Sequence, residues 1–102
     1  MNPRANLVRI VAKDFVDDTR PVIESAALIA AQAAALLRQG SQVVISVHGL
    51  RGVSSSFFNV VLAGVADVLG PDLVNGRFSV DTETVTQRMI FERSLDAFRQ
   101  PR

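Results

Sequence analysis

The chain contains no cysteine, no tryptophan and no tyrosine, and it has one lysine and one histidine, Lys13 and His48. Without cysteine there is no disulfide, no thiolate nucleophile and no cysteine zinc site, a composition that fits a reducing compartment. One histidine without cysteine also offers no ligand set for a transition metal. We therefore expect neither a metal nor a cofactor, and aromatic stacking surfaces are limited to six phenylalanines.

The chain also lacks a large excess of positive or negative charge, and it lacks long apolar runs. Eleven basic and ten acidic residues leave a formal net charge of +1, so nothing electrostatic favours nucleic acid or a membrane surface as a partner. The longest uncharged apolar run, Val60–Ala66, is far shorter than the roughly 20 residues that cross a bilayer. Charged residues interrupt the N-terminal segment, which does not resemble a signal peptide. The composition predicts a cytoplasmic protein that binds neither membranes nor nucleic acid.

The 102 residues have the size and composition of one globular domain, 1–102. Three segments rich in β-branched residues predict strands: Leu7–Ala12, Gln42–His48 and Arg77–Asp81. Three segments with helical periodicity predict helices: Arg20–Arg38, Ser55–Leu69 and Thr84–Phe98. The β-α-β-α-β-α order predicts an α/β fold with a small parallel or mixed sheet. The apolar middle strand is expected to be covered on both faces, and the last strand to lie at an edge.

The first helix is unusually rich in alanine, with seven alanines among the ten residues of Ala26–Ala35. Its expected N-cap is Asp17, Asp18 or Thr19, with Pro21 in the first turn. The spacing of its apolar residues predicts a buried stripe of Ile23, Ala26, Ala27, Ala30, Ala34 and Leu37.

A glycine-containing turn and three serines separate the middle strand from the second helix. Gly49 and Gly52 bracket the turn, and Ser54, Ser55 and Ser56 are candidate N-caps. In parallel sheets, ligands and partners meet the carboxyl ends of the strands, where helix N-termini point outward. This turn is therefore the region where we expect the function to lie.

The segment 43–59 resembles the STAS domain, the fold of bacterial anti-sigma factor antagonists, and more closely the STAS-like domain family of unknown function. That family has a similar strand, a glycine-containing turn that leads into Ser-Ser-Phe, and a polar residue after it. The corresponding residues here are Gly49, Gly52, Ser55, Ser56, Phe57 and Asn59. Arg20, near the start of the first helix, is also similar to an arginine that is common in such sequences.

The resemblance carries over only in part. Anti-sigma factor antagonists have an aspartate in the strand, where this chain has Ser46. At the helix start they have Asp-Ser-Ser/Gly-Gly, whose serine is phosphorylated by a partner kinase, and the matching serine is Ser55. The preceding aspartate is replaced by Ser54 and the glycine by Phe57, so the acidic surroundings of that site are missing.

The resemblance implies a non-enzymatic regulatory protein-interaction module, with phosphorylation of Ser55 as a candidate switch. Its implied partner is a kinase-like or anti-sigma-like ATP-binding protein. The candidate contact or phospho-acceptor residues are Ser54, Ser55, Ser56, His48, Arg51, Phe58 and Asn59.

Two alternatives stay open. The first is a small-ligand-binding or hydrolytic domain, in which His48 acts as acid and base and Ser54–Ser56 hold an anion. A Ser55–His48–Asp81 triad can be drawn for it, although the G-x-S-x-G elbow is absent. The second alternative is a homodimer, because the helix Ser55–Leu69 is nearly all apolar after its serines. Such a helix either sinks between layers or presents an apolar patch to another chain.

Overall fold

The computed structural model describes residues 6–17, 19–70, 73 and 76–99. The strands are β1 (Leu7–Val11), β2 (Gln42–Ser46) and β3 (Phe78–Asp81). The helices are α1 (Val22–Arg38), α2 (Ser55–Leu69) and α3 (Val85–Arg99), and a short 3-10 helix (Ala12–Phe15) directly follows β1. The predicted alternation of strands and helices, and with it the α/β class, is confirmed.

The three strands form one parallel sheet in the order β1-β2-β3. Ile10, Ile45 and Val80 lie side by side across it. The central position of β2 and the edge position of β3 are therefore as predicted. Because consecutive strands are neighbours and such crossovers are right-handed, α1 and α2 lie on the same face of the sheet. There α2 contacts α1 on one side and α3 on the other.

The two faces of the sheet differ in burial. The strand residues that point towards the helices and are fully buried are Ile10, Val43, Ile45 and Phe78. On the opposite face Leu7 is 67% exposed and Ser79 is also exposed. The prediction that the central strand is covered on both faces holds fully on the helix side only, because on the other face Gln42 and Val44 of β2 are half-buried. Both crossovers run in the same direction, so the described helices cover one face only.

The first helix begins later than predicted. It starts at Val22 with Pro21 as its N-cap, and no side chain caps it. The expected caps Asp17 and Thr19 bond to each other instead, since the Asp17 carboxylate accepts from the Thr19 backbone N–H (2.8 Å) and hydroxyl (2.7 Å). An aspartate that bonds two residues ahead forms a turn of its own. Asp18, the third expected cap, lies outside the described residues.

The buried face of α1 is rotated relative to the prediction. Its buried residues are Ser25, Ala26, Ile29, Ala30, Ala33, Ala34 and Leu37. Two predicted positions are wrong, because Ile23 is 46% exposed and Ala27 is exposed. Because alanines lie around most of the circumference of α1, the contrast between its apolar and polar faces is weak. The contact with α2 therefore decides which face of α1 is buried.

The apolar helix α2 is largely buried in the core. Its buried residues are Phe57, Phe58, Val61, Leu62 and Val65. At Gly64 the helix comes so close to α1 that an added Cβ would lie 2.8 Å from the Cβ of Ala30. Of the two expectations for this helix, burial holds for these five residues, whereas Val60 is 37% exposed and the homodimer stays a prediction.

The third helix begins as predicted from Thr84. The Thr84 hydroxyl accepts the backbone N–H of Gln87 (3.0 Å), and the Gln87 side-chain oxygen accepts the backbone N–H of Thr84 (3.4 Å). This reciprocal pair is a capping box. Strand ends differ from the prediction by one or two residues: β1 stops at Val11, and β2 stops at Ser46 rather than His48.

Candidate functional site

Ser54 is the N-cap of α2. Its backbone is extended, and its hydroxyl accepts the backbone N–H of Phe57 (3.4 Å). Capping is the structural role expected for one of the three serines. Ser55 and Ser56 occupy the first turn of the helix with exposed side chains, so capping accounts for Ser54 alone.

The β2–α2 turn, residues 47–54, depends on two glycines. Gly49 and Gly52 have φ angles of +80° and +75°, in the left-handed region that favours glycine. At Gly49 an added Cβ would also lie 3.0 Å from the Cδ atom of Lys13. The backbone conformation and the close side chain both favour glycine at this position.

A polar cluster lies where the strands end. The Asp81 carboxylate accepts a hydrogen bond from the Arg9 guanidinium (2.7 Å) and lies 3.2 Å from Nε2 of His48. All three side chains are partly exposed, Asp81 by 39% and His48 by 48%. The cluster therefore joins β1, the turn after β2, and the end of β3.

The cluster keeps Asp81 ionised. The hydrogen bond from Arg9, followed by that from His48, holds the pKa of the Asp81 carboxyl below its ordinary value of 3.8. Arg9 lies on β1 and Asp81 on β3, so the guanidinium has to reach across β2. Ser46, at the end of β2, is buried, and its hydroxyl accepts the backbone N–H of His48 (3.3 Å).

Side chains after β3 also hold the β2–α2 turn. The Glu83 carboxylate accepts the backbone N–H of Gly49 (2.8 Å). The buried Gln87 side chain donates to the backbone carbonyls of Val47 and Leu50, both at 3.4 Å. The turn is thus fixed from the solvent side by Glu83 and from the interior by Gln87.

Most of the predicted site residues lie on the surface around this turn. The exposed ones are His48, Arg51, Ser54, Ser55, Ser56 and Asn59. Arg20, which the family resemblance singled out, donates instead to the backbone carbonyl of Phe15 (3.2 Å), at the end of the 3-10 helix.

Phe58 is the exception, and its prediction as a contact residue is wrong. Its side chain is 1% exposed, with its ring edge-to-face against Phe57 (5.4 Å between centroids) and Phe91 (5.3 Å). Because α2 is packed against α3, this face of the helix points into the core. A partner cannot reach Phe58 without unfolding the chain.

The triad drawn from the sequence is assembled only in part. His48 contacts Asp81 as that triad requires, but within the described part of the chain no hydrogen bond joins His48 to Ser55. The ring nitrogen that faces Asp81 is Nε2.

Sequence reasoning missed three residues that shape this end of the sheet, Arg9, Glu83 and Gln87. The Thr84-x-x-Gln87 spacing is a capping-box signature and could have identified Gln87 as an end-of-helix residue. Its bonds to the turn 40 and 37 residues away have no local signal. The same holds for Arg9, which is 72 residues from Asp81.

Two cavities lie apart from the turn. One of about 240 Å³ is at the amino ends of the strands, between Leu7, Gln42 and Phe78. The other, of about 230 Å³, is a groove on α3 between Met89, Ile90 and Arg93. Within the described residues, no three histidine, aspartate or glutamate side chains gather closely enough to hold a metal ion.

Compared with models of known families, with curated proteins and with solved structures, the chain matches none. The STAS-like resemblance therefore rests on the motif residues in the segment 43–59 and stays a prediction. As far as the chain is described, none of its helices has both the length and the hydrophobicity to cross a membrane.

Proposed function

We propose that this chain is a non-enzymatic regulatory module that binds a protein partner through the β2–α2 turn and the start of α2. The observation that carries the proposal is a set of exposed polar side chains on an anchored backbone. His48, Arg51 and Ser55 are accessible, while Glu83 and Gln87 fix the turn between them. A turn that is already ordered loses little conformational entropy on binding.

The partner class comes from the family resemblance: a kinase-like or anti-sigma-like ATP-binding protein. Ser55 is the candidate switch, since its exposed hydroxyl lies in the first turn of α2. A phosphate there meets the positive end of the helix dipole and adds negative charge to the contact surface. Phosphorylation would thus alter partner affinity without unfolding the helix.

The test compares affinities after the partner has been captured and identified. Ser55→Asp is expected to change the Kd by about tenfold or more, because a charge enters the contact surface. The helix should tolerate this change, because an acidic residue is favourable in the first turn. Ser55→Ala, which removes the hydroxyl without adding charge, should change the Kd much less.

Gln32→Asp supplies the matched control, because Gln32 is exposed on α1. It adds the same charge away from the turn and should leave the Kd unchanged. An equal change of the Kd in Ser55→Asp and Gln32→Asp would show that this turn is not the interface. A Kd that changes in neither Ser55→Asp nor Arg51→Ala would show the same.

The second candidate function, a small-ligand-binding or hydrolytic domain, is favoured by the contact between His48 and Asp81. A carboxylate that orients an imidazole is a recurring part of hydrolytic sites. If this candidate is right, turnover of an activated ester should be lost in both His48→Gln and Ser55→Ala. Turnover that neither substitution affects, or no turnover above the rate in buffer, would exclude it.

A further inference from the structure

The residues 81–87 contact four consecutive residues of the β2–α2 turn, 47–50. Asp81 contacts the His48 ring, and its backbone carbonyl accepts the N–H of Val47 (3.1 Å). Glu83 accepts the N–H of Gly49, and Gln87 donates to the carbonyls of Val47 and Leu50, which flank this stretch. The beginning of the turn is thus held residue by residue, up to Leu50.

Gln87 connects this contact to the start of α3 through one amide group. Its oxygen accepts the backbone N–H groups of Glu83 (2.7 Å) and Thr84 (3.4 Å), and so caps the helix. Its nitrogen donates to the carbonyls of Val47 and Leu50. Among side chains of this length, only glutamine offers both a carbonyl acceptor and an NH₂ donor at one buried point.

We infer that Gln87 is a positioning residue that couples the order of the first turn of α3 to the geometry of the β2–α2 turn. When the cap of α3 opens, the amide nitrogen leaves the two carbonyls: the Val47 carbonyl keeps the N–H of Leu50 (3.3 Å), and the Leu50 carbonyl loses the amide donor. A perturbation at the start of α3 is thereby transmitted to the surface that carries Arg51 and the serines. The use of this coupling in partner binding rests on the proposed function, but the coupling is a property of the free chain.

Amide hydrogen exchange of the free chain, measured residue by residue by NMR, tests this inference. Gln87→Glu keeps the acceptor that caps α3 and loses the donor to the turn. We expect exchange at Gly49 and Leu50 to rise by about tenfold, while the amide of Ile45 in the sheet changes much less. Gly49 is the more informative residue, because the Glu83 carboxylate that accepts its N–H is unchanged in this variant. A faster exchange there therefore reports on the turn and not on a lost bond of Gly49.

Two further variants separate positioning from general destabilisation. Thr84→Ala weakens the cap of α3 without touching the turn, and should also raise exchange at Leu50. Ile29→Val removes one methylene from the core on α1, and should raise the exchange of slow amides in parallel instead. Should Gln87→Glu fail to fold, Thr84→Ala gives the answer alone.

Unchanged exchange at Leu50 in Thr84→Ala would overturn the inference, and so would unchanged exchange at Gly49 and Leu50 in Gln87→Glu. A rise of equal size at Ile45 would overturn it as well, because Gln87 would then contribute only to global stability. If the turn responds as expected but the affinity of the partner changes with neither Ser55→Asp nor Arg51→Ala, the proposed function is refuted and this coupling still stands.

Discussion

Individual side chains decide where the elements of this protein begin and how their ends are joined. Ser54 caps α2 and Thr84 caps α3, each by accepting a backbone N–H three residues ahead. Asp81 has a different role, since it connects Arg9 and His48 from two other parts of the chain. The charged form of this carboxylate is the one that both partners favour, which makes the contact sensitive to acid.

We predict that Asp81 makes the stability of the chain depend on pH in the acidic range. Because its pKa is lowered in the folded state, its contribution is present above the ordinary carboxyl pKa of 3.8 and is lost as the pH falls through the lowered value. Asp81→Asn should therefore be less stable than the native chain at neutral pH, and the difference should shrink towards pH ~2. Urea unfolding at a series of pH values measures this difference.

Asp14→Asn is the control, because Asp14 is an exposed aspartate of the short 3-10 helix. It should change the pH dependence less than Asp81→Asn does. A stability difference for Asp81→Asn that stays constant between neutral and acid pH would contradict the lowered pKa.

Between elements, α1 and α2 pack closely together at Gly64. Gly64 and Ala30 meet where both helices have their smallest side chains, and this contact brings Phe57 and Val61 of α2 into the core. Both helices are apolar on more than one side, so their periodicity alone leaves several orientations open. The pair of small residues selects the one in which Ile23 is exposed and Ile29 is buried.

Gly64→Ala is expected to destabilise the protein although alanine is the better helix former by about 1 kcal/mol. The new Cβ would lie 2.8 Å from the Cβ of Ala30, and a methyl group on a helix cannot rotate away. Overpacking of this kind lowers the free energy of unfolding by about 1–3 kcal/mol. Thermal or urea unfolding measures the change.

Ala30→Gly in the Gly64→Ala background should recover part of the loss, because it removes the opposing methyl group. If Gly64→Ala alone raises the stability, helix propensity outweighs the contact and the packing argument is wrong.

At the scale of the molecule, the described residues form two layers: a three-stranded parallel sheet and helices on one of its faces. Parallel sheets are usually covered on both faces, which makes the exposed face unusual. Its exposed positions include Leu7 and Ser79, and the ion pair of Arg9 and Asp81 spans its carboxyl end. The candidate contact turn lies at that same end.

Substitutions at two neighbouring residues of β3 should differ strongly in how much they change the free energy of unfolding. Phe78 points into the core and Ser79 to the open face. Phe78→Ala is expected to lower the free energy of unfolding by about 3–5 kcal/mol, whereas Ser79→Lys should change it by no more than about 0.5 kcal/mol. Urea denaturation of the two variants measures both values. A large loss for Ser79→Lys would show that this face is covered in solution.

The amino-acid sequence was sufficient for the features that depend on neighbours along the chain. Strand–helix alternation, the turn at Gly49 and Gly52, and the beginnings of α2 and α3 follow from periodicity, backbone preference and capping. Each of these involves groups only a few residues apart, and so each leaves a local pattern.

The other features arise only when distant segments become neighbours. The exposed face of the sheet follows from the direction of two crossovers, and the orientation of α1 follows from its contact with α2. Arg9 contacts Asp81 across β2, and Gln87 contacts Val47, because the parallel sheet places the carboxyl ends of its strands side by side. No local pattern encodes such pairs, since they are created by the packing of elements and not by the order of residues.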